Sequence, residues 1–213
     1  IRGAEANHTL VLIDGFNAND PAIGSEFNFA DLTTFDVDQI EVVRGSQTAL
    51  YGSDTIGGVI NLITSTPDKT GFSGKASVAA GNNQSGLYLL NLNGKGERHY
   101  ILANFSKYNT NGTNASLMGS EKDGYENQTE LLKFGFELTQ ELTATLQARR
   151  SSNQVETDPQ DFAFPATEKQ GLVIDGDDWS ETSQRYNALA LSYKNIDRPI
   201  TSTHKLRSTR TNS

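Results

Sequence analysis

The chain has 213 residues, of which 35% are apolar and 21% charged, and it carries a net charge of −8 at pH 7. This acidic balance argues against nucleic acid as a partner, because binding to a phosphate backbone needs clustered Lys and Arg. No apolar run approaches the roughly 18 residues of a membrane helix, and the chain has no cysteine for disulfides or thiolate metal sites. A helical membrane protein is therefore excluded, whereas a β-barrel is not.

The first 66 residues are predicted to form a small α+β domain. Short β-branched and Leu-rich runs predict strands at residues 8–13, 35–45 and 59–64, and Asp14 with Gly15 predicts a turn after the first of them. Residues 46–51 are predicted to form a short helical or turn segment, and residues 67–71 a linker. Because the sequence opens at Ile1 without an initiator Met or a signal segment, we expect a fragment of a longer protein.

From residue 72 onward, apolar and polar residues alternate with a period of two, which is typical of strands. The alternation predicts seven strands: residues 75–80, 86–93, 99–108, 131–138, 142–150 and 189–193, with a weak seventh around Leu206. In the fourth strand, Leu132, Phe134 and Phe136 share one face and Lys133 lies on the other, where we expect substitution to be tolerated. The apolar face would be the core of a β-sandwich or the lipid-facing surface of an outer-membrane barrel.

The connections between the predicted strands favour the barrel. Short turns at residues 81–85, 94–97, 139–141 and 195–199 accompany two long polar loops at residues 109–128 and 152–184. Alternation of short turns with longer loops is the pattern of outer-membrane barrels. We therefore predict a mainly β protein: a small α+β domain followed by an incomplete antiparallel transmembrane β-barrel, since seven strands cannot close a bacterial barrel.

Several motifs of the first domain resemble the plug domain of TonB-dependent outer-membrane receptors. They are IRG at residues 1–3, LVLIDG at 10–15, IEVVRG at 40–45, ALYGSD at 49–54 and IGGVINLIT at 56–64. Within this family the spacing and the loop chemistry are most similar to the cobalamin transporters, with catecholate-siderophore and colicin receptors close behind. The resemblance implies the C-terminal part of a plug at residues 1–66, a linker at 67–71, and at 72–213 the first seven strands of a 22-stranded barrel.

The resemblance also implies a function and partners. They are energy-coupled uptake of cobalamin or a ferric siderophore across the outer membrane of a Gram-negative cell, and binding of TonB through the missing N-terminal segment. Outer-membrane lipid and lipopolysaccharide would surround a monomeric receptor. A passive porin-like channel and a soluble β-rich binding module are the alternatives.

The resemblance places candidate substrate contacts at the outer end of the plug. By position these are Glu5, Ile23 and Gly24, although Glu5 stands where an amide side chain is expected, which leaves the ligand open. Asn17, Asn19 and Asp20 lie in the same region and are equally well explained as turn formers. Arg44 ends a plug strand and resembles a contact between plug and barrel, because a buried Arg needs a carboxylate partner.

Acidic side chains in the two long loops form a candidate calcium site. Glu121, Asp123, Asp158 and Asp175 fall near the calcium-binding aspartates of cobalamin transporters, and Asn114 stands about where a further Asp would be. Calcium takes roughly six to eight oxygen ligands, so the acids must converge to bind it. The alternative is that they are solvated, or bridge lipopolysaccharide through divalent ions.

Catalysis has little support in the sequence. His8, His99 and His204 are scattered along the chain, and neither HExxH nor GxSxG occurs. The glycines at positions 45, 52, 57 and 58 lack the other elements of a phosphate-binding loop and are interpreted as tight turns. We therefore expect no enzymatic activity.

Overall fold

The computed structural model describes residues 3–20, 24–52, 55–114, 116, 119–195 and 201–212, and these residues form two sheets. The small sheet contains β1 (Thr9–Ile13), β2 (Phe16–Asn17), β3 (Val37–Arg44) and β4 (Gly58–Thr64). The large sheet contains β5 (Gly71–Ala80), β6 (Gly86–Lys95), β7 (His99–Thr110), β8 (Tyr125–Glu137), β9 (Leu142–Thr157), β10 (Asp178–Lys194) and β11 (Thr201–Asn212). The predicted mainly β fold is confirmed.

Among the residues that the structure describes, helix is confined to short pieces. They are α1 (Thr48–Tyr51) and two 3-10 turns, Ala6–His8 and Phe29–Asp31. In the described part of the chain, no helix is long and apolar enough to cross a membrane.

The small sheet has the order β2-β1-β4-β3, in which β1 runs parallel to β4 and the other pairs are antiparallel. A two-residue turn joins β1 to β2, because Ile13 pairs directly with Phe16. Asp14 and Gly15 have φ values of 51° and 75°. Positive φ at both central residues is the requirement that makes Asp-Gly a strong hairpin signal.

The large sheet is an antiparallel meander in which β5 to β11 pair in sequence order. All seven predicted strands are present, but β8 begins at Tyr125 and β9 continues to Thr157, well beyond the predicted bounds. The extra residues on the outward face, such as Glu126 and Gln154, are polar. Apolar alternation therefore stops while the backbone pairing continues, which is why the sequence overestimated the two long loops.

One face of the large sheet packs on the small sheet and the other faces away from it. Leu132, Phe134 and Phe136 are exposed on the outward face, whereas Lys133 between them is buried under the small sheet. The predicted assignment of the two faces is therefore confirmed. The expectation that Lys133 tolerates substitution is wrong, because its ammonium group is enclosed and hydrogen-bonded.

The two sheets share one apolar core. Val11, Ile13 and Phe16 of the small sheet are buried together with Tyr186 and Ala188 of β10. A second, smaller cluster, formed by Leu10, Leu12 and Val59, lies on the opposite face of the small sheet. Strand β1 is therefore apolar on both faces, which explains its continuous apolar run.

Candidate functional site between the two sheets

Lys133 of β8 lies at the centre of the polar contact between the sheets. Its Nζ donates hydrogen bonds to Thr64 Oγ1 at 3.0 Å and to Thr66 Oγ1 at 3.3 Å, and lies 3.5 Å from Asp14 Oδ2. The side chains of Lys133 and Asp14 are only 8% and 13% exposed. Because a buried charge is costly unless it is paired and hydrogen-bonded, each of these groups depends on the other.

The backbone geometry of the β1–β2 turn fixes the carboxylate of Asp14. Its Oδ1 accepts a hydrogen bond from Thr64 N at 2.9 Å, and its Oδ2 accepts one from Thr64 Oγ1 at 2.6 Å. The turn thus joins the end of β1 to the end of β4 and presents the carboxylate to β8. Asp is suited to this position because it tolerates the left-handed conformation better than most residues.

A second lysine holds the same turn from another strand. Lys205 of β11 donates from Nζ to the carbonyl oxygen of Asp14 at 2.8 Å, and the same Nζ lies 5.1 Å from the ring centroid of Phe16. A Cβ at Gly15 would collide with this ammonium group, and φ of 75° already favours glycine there. Lysine side chains from strands β8 and β11 therefore both contact this turn.

Arg149 of β9 makes a second buried ion pair between the sheets. Its Nε lies 3.5 Å from Asp36 Oδ2, and the two side chains are 7% and 3% exposed. Burial raises the pKa of the Asp36 carboxyl above its ordinary value, and the guanidinium of Arg149 opposes this effect. Oδ1 of Asp36 has no hydrogen-bond partner among the described residues, so this pair is less completely satisfied than the Lys133 cluster.

Single hydrogen bonds extend the contact along the inner face of the large sheet. Three such pairs are Gln184 with Asp20 at 3.1 Å, Tyr125 with the Ala30 carbonyl at 3.2 Å and Ser106 with Thr33 at 3.3 Å. Together with the ion pairs and the hydrogen bond from Lys205, they join the small sheet and its loops to strands β7 through β11.

The sequence did not predict Lys133, Asp14, Lys205, Arg149 or Asp36 as functional residues. The only available signal was parity, since Lys133 and Arg149 fall on the polar face of the alternation. That signal shows which face a residue occupies but does not reveal its partner.

The predicted contact residue Arg44 is exposed at the end of β3. Among the described residues, it makes no ion pair with the large sheet. The predicted contact between Arg44 and the barrel therefore stays a prediction.

The predicted substrate contacts are only partly described. Glu5 is exposed, and its carbonyl oxygen accepts a hydrogen bond from His8 N at 3.1 Å. Gly24 is exposed with φ of 74° and has open space where a Cβ would lie. Ile23 lies outside the described residues, and the substrate-binding role of all three stays a prediction.

Asn19 has a structural role in the same region. Its Oδ1 accepts a hydrogen bond from Val11 N at 2.8 Å, and its Nδ2 donates to the carbonyls of Thr9 at 3.0 Å and Ser25 at 2.7 Å. Because backbone groups occupy its amide, the interpretation of Asn19 as a turn former accounts for it fully.

Two of the predicted calcium ligands, Asp158 and Asp175, lie close enough to a third, Glu121, to act on its charge. Desolvation, repulsion by Asp177, and weaker repulsion by Asp158 and Asp175 raise the pKa of Glu121 above its ordinary value. Asp175 accepts hydrogen bonds from Asn114 Nδ2 at 3.3 Å and Ser120 N at 3.0 Å.

Asp158 and Asp123 both make hydrogen bonds with the loop backbone. Asp158 Oδ1 accepts a hydrogen bond from Gly176 N at 3.1 Å, and Asp123 N donates one to the Thr113 carbonyl at 3.3 Å. Within the described ranges, no group of three or more His, Asp or Glu side chains is arranged to hold a metal ion. Calcium binding stays a prediction.

Comparison with known proteins gives the same family as the motifs. Residues 1–59 match the TonB-dependent Receptor Plug Domain. A 91-residue stretch is 40% identical to the vitamin B12 transporter BtuB of Photobacterium profundum and covers 42% of this chain and 14% of that transporter.

Solved structures extend the similarity of the fold to nearly the whole chain. The siderophore receptor PiuA from Acinetobacter baumannii matches with a TM-score of 0.74 at 22% identity, covering 99% of this chain and 30% of that one. A ferric enterobactin receptor variant from Pseudomonas aeruginosa, solved with enterobactin, matches with a TM-score of 0.74 at 20% identity, covering 99% and 34%. The chain thus spans about a third or less of the length of these relatives.

Proposed function

We propose that this chain is part of a TonB-dependent receptor that takes up a scarce metal-containing nutrient, cobalamin or a ferric siderophore, across the outer membrane. The match of residues 1–59 to the plug domain of that family supports this proposal. In this proposal the part of the chain that carries the small sheet, up to Thr66, is the plug. Residues 67–71 are the linker, although β5 already begins at Gly71, and the large sheet is an arc of the barrel wall. TonB would act on the plug through a segment outside this sequence.

The observation that carries this proposal is the buried polar contact between plug and wall. Lys133 and Arg149 project from the inner face of the large sheet, and both are paired with acids of the plug. Breaking a buried pair leaves an uncompensated charge and costs about 3 to 5 kcal/mol. Displacing the plug must separate both pairs, so these contacts support a plug that is held against the wall until TonB pulls on it.

The alternatives fit these contacts less well. In a passive porin-like channel the inner face would be hydrated, and buried cations matched to a separate domain would have no purpose. In a soluble β-rich module the outward Leu132, Phe134 and Leu146 would need a second sheet to cover them, yet they are exposed. Lipid is the solvent that suits such a face.

The names of the relatives support two substrate classes. One relative is a vitamin B12 transporter, and the similar solved structures include siderophore receptors. We therefore keep both cobalamin and ferric siderophores in the proposal. The proposal also includes calcium ions that order the two long loops. It further includes a monomeric receptor without enzymatic activity.

The test is uptake by cells that express the full-length receptor carrying this chain. Labelled cobalamin and a ferric catecholate are supplied to cells with TonB, without TonB, and with the proton gradient collapsed. Diffusion of a small porin solute serves as the control for intact outer membranes. We expect uptake to require both TonB and the gradient, whereas unchanged uptake without TonB would indicate a passive channel.

A further inference from the structure

Three arginines form a row on the outward face of the large sheet. Arg150 of β9 pairs in register with Arg185 of β10, and Arg185 pairs with Arg210 of β11. All three are exposed, and the neighbouring Arg149 and Tyr186 are buried on the other face. Like charges directly opposite one another on neighbouring strands are destabilising. An anion bound beside the three guanidinium groups would reduce this repulsion.

The protein itself does not supply that anion within the described residues. None of the three arginines makes an ion pair there. Glu130 of β8 stands opposite Arg150 in register, but its Oε1 accepts a hydrogen bond from Gln128 Nε2 at 2.7 Å instead. The row therefore presents three guanidinium groups, with the single carboxylate of Glu130 opposite one end, to whatever lies outside the sheet.

An apolar groove of about 610 Å³ lies immediately beside the arginine row on the same face. The part of the groove nearest the row is lined by Ala148, Asn187 and Ser208, each of which lies two residues along its strand from one of the arginines. The part farther from the row is lined by Leu146, Leu189 and Leu206. Two residues of a strand span about 7 Å, so one amphipathic molecule can reach both the groove and the arginines.

The row also marks a change in polarity along the strands. On its groove side the outward residues are mainly apolar, as at Leu146 and Leu189. On its other side they are polar, as at Ser152, Gln154 and Glu181. The arginines thus lie at the edge of the apolar band that faces the long loops. At a membrane boundary this is the depth of lipid headgroups, and guanidinium groups bind phosphate through two parallel hydrogen bonds.

We propose that this surface binds one phosphorylated glycolipid of the outer leaflet, the lipid A part of lipopolysaccharide. Its phosphate lies on Arg150, Arg185 and Arg210, and an acyl chain occupies the groove. The inference rests on the proposed function, because that function places this face in the outer membrane with the long loops outside. It adds a defined binding surface to an otherwise general contact with lipid.

The test measures lipid A retained by the full-length receptor in phosphatidylethanolamine vesicles with and without lipid A. Arg150→Gln, Arg185→Gln and Arg210→Gln are combined in one variant. Lys107→Gln is the matched control, because Lys107 is an outward cation already paired with Glu126. Ala148→Leu fills the groove while keeping every charge.

We expect the triple variant to lose retention by at least about tenfold, the factor given by one lost charge-assisted hydrogen bond. The control should retain lipid A like the wild type, Ala148→Leu should reduce retention, and lipid A stripped of its phosphates should not be retained. Equal retention by the wild type and the triple variant, or equal retention of dephosphorylated lipid, would overturn the proposal.

The same variants are assayed for TonB-dependent uptake, which separates the two proposals. Uptake that needs TonB, combined with lipid retention indifferent to the arginines, would refute only the lipid site. Arginine-dependent retention in a receptor whose uptake ignores TonB would refute only the proposed transport.

Discussion

The buried pair of Lys133 and Asp14 gives the sharpest quantitative prediction. Lys133→Met removes the ammonium group and keeps most of the side-chain volume, while Asp14→Asn neutralises the carboxylate with a residue that also tolerates positive φ. Breaking one partner of a buried pair costs about 3 to 5 kcal/mol. We expect the lower end, about 3 kcal/mol for each substitution. The distance between Nζ and Oδ2 is 3.5 Å, and Thr64 continues to donate to residue 14.

The double variant should cost less than the sum of the two single variants, because neither charge then remains unpaired. The expected coupling is about 2 to 3 kcal/mol, within the range found for residues of one network. The measurement is a double-mutant cycle on the free energy of unfolding, from urea titration of the full-length receptor in lipid vesicles.

Lys107→Met is the matched control. Lys107 and Glu126 are closer, at 2.8 Å, but their side chains are 34% and 49% exposed, so the pair should contribute at most about 1 kcal/mol. Burial rather than distance decides this ranking. Equal costs for the two lysine variants, or a coupling within about 0.5 kcal/mol of zero, would refute the argument that buried charge holds the plug.

Three further predictions concern the outward face and the long loops. Phe134→Arg should lower the free energy of unfolding in vesicles by about 2 to 4 kcal/mol if residue 134 lies near the membrane midplane; an unchanged value would contradict its lipid-facing assignment. If the loops bind calcium, the ion should tighten substrate binding in the wild type but not in Asp158→Ala with Asp175→Ala, as measured by substrate titration in both conditions; equal affinities would leave these acids as solvated loop residues. Asp177→Asn should lower the pKa of Glu121, measured by carboxyl NMR titration. Desolvation is the largest cause of the raised pKa, and the negative charge of Asp177 is the next largest. Since that pKa is raised in the folded loop, its contribution to loop order is greatest below the ordinary pKa and is lost as pH rises through the raised value.

The sequence predicted the strands of the large sheet well because alternation reports directly on the two faces of a strand. Leu132 and Phe134 lie on the outward face for this reason. The same rule could not show that Lys133 is enclosed, because a polar face can meet either water or a second domain. Its partner Asp14 is 119 residues away in the chain, and Asp36 is 113 residues from Arg149, so local patterns carry no trace of either pair.

The strand ends were missed for a related reason. Beyond Glu130 on β8 and Arg150 on β9 the outward residues become polar, so the hydrophobic signal fades although the hydrogen-bonded ladder continues. The candidate loop and substrate residues depended on the family resemblance alone. Positions inferred in that way identify a region of the chain but do not fix the geometry of its side chains.

The hydrogen bond from Lys133 to Thr66 limits how far the plug can travel while it stays joined to the wall. With that bond intact, Thr66 is held at the wall, and the plug strand β4, which ends at Thr64, can move away only by the two backbone steps between Thr64 and Thr66, at most about 7 Å. Once Lys133 releases both threonines, the free tether runs from Thr64 to Gly71 of β5 and its reach grows to about 24 Å. The side chain of Lys133 on β8 therefore determines how far the plug can move from the wall while the chain still joins it to β5.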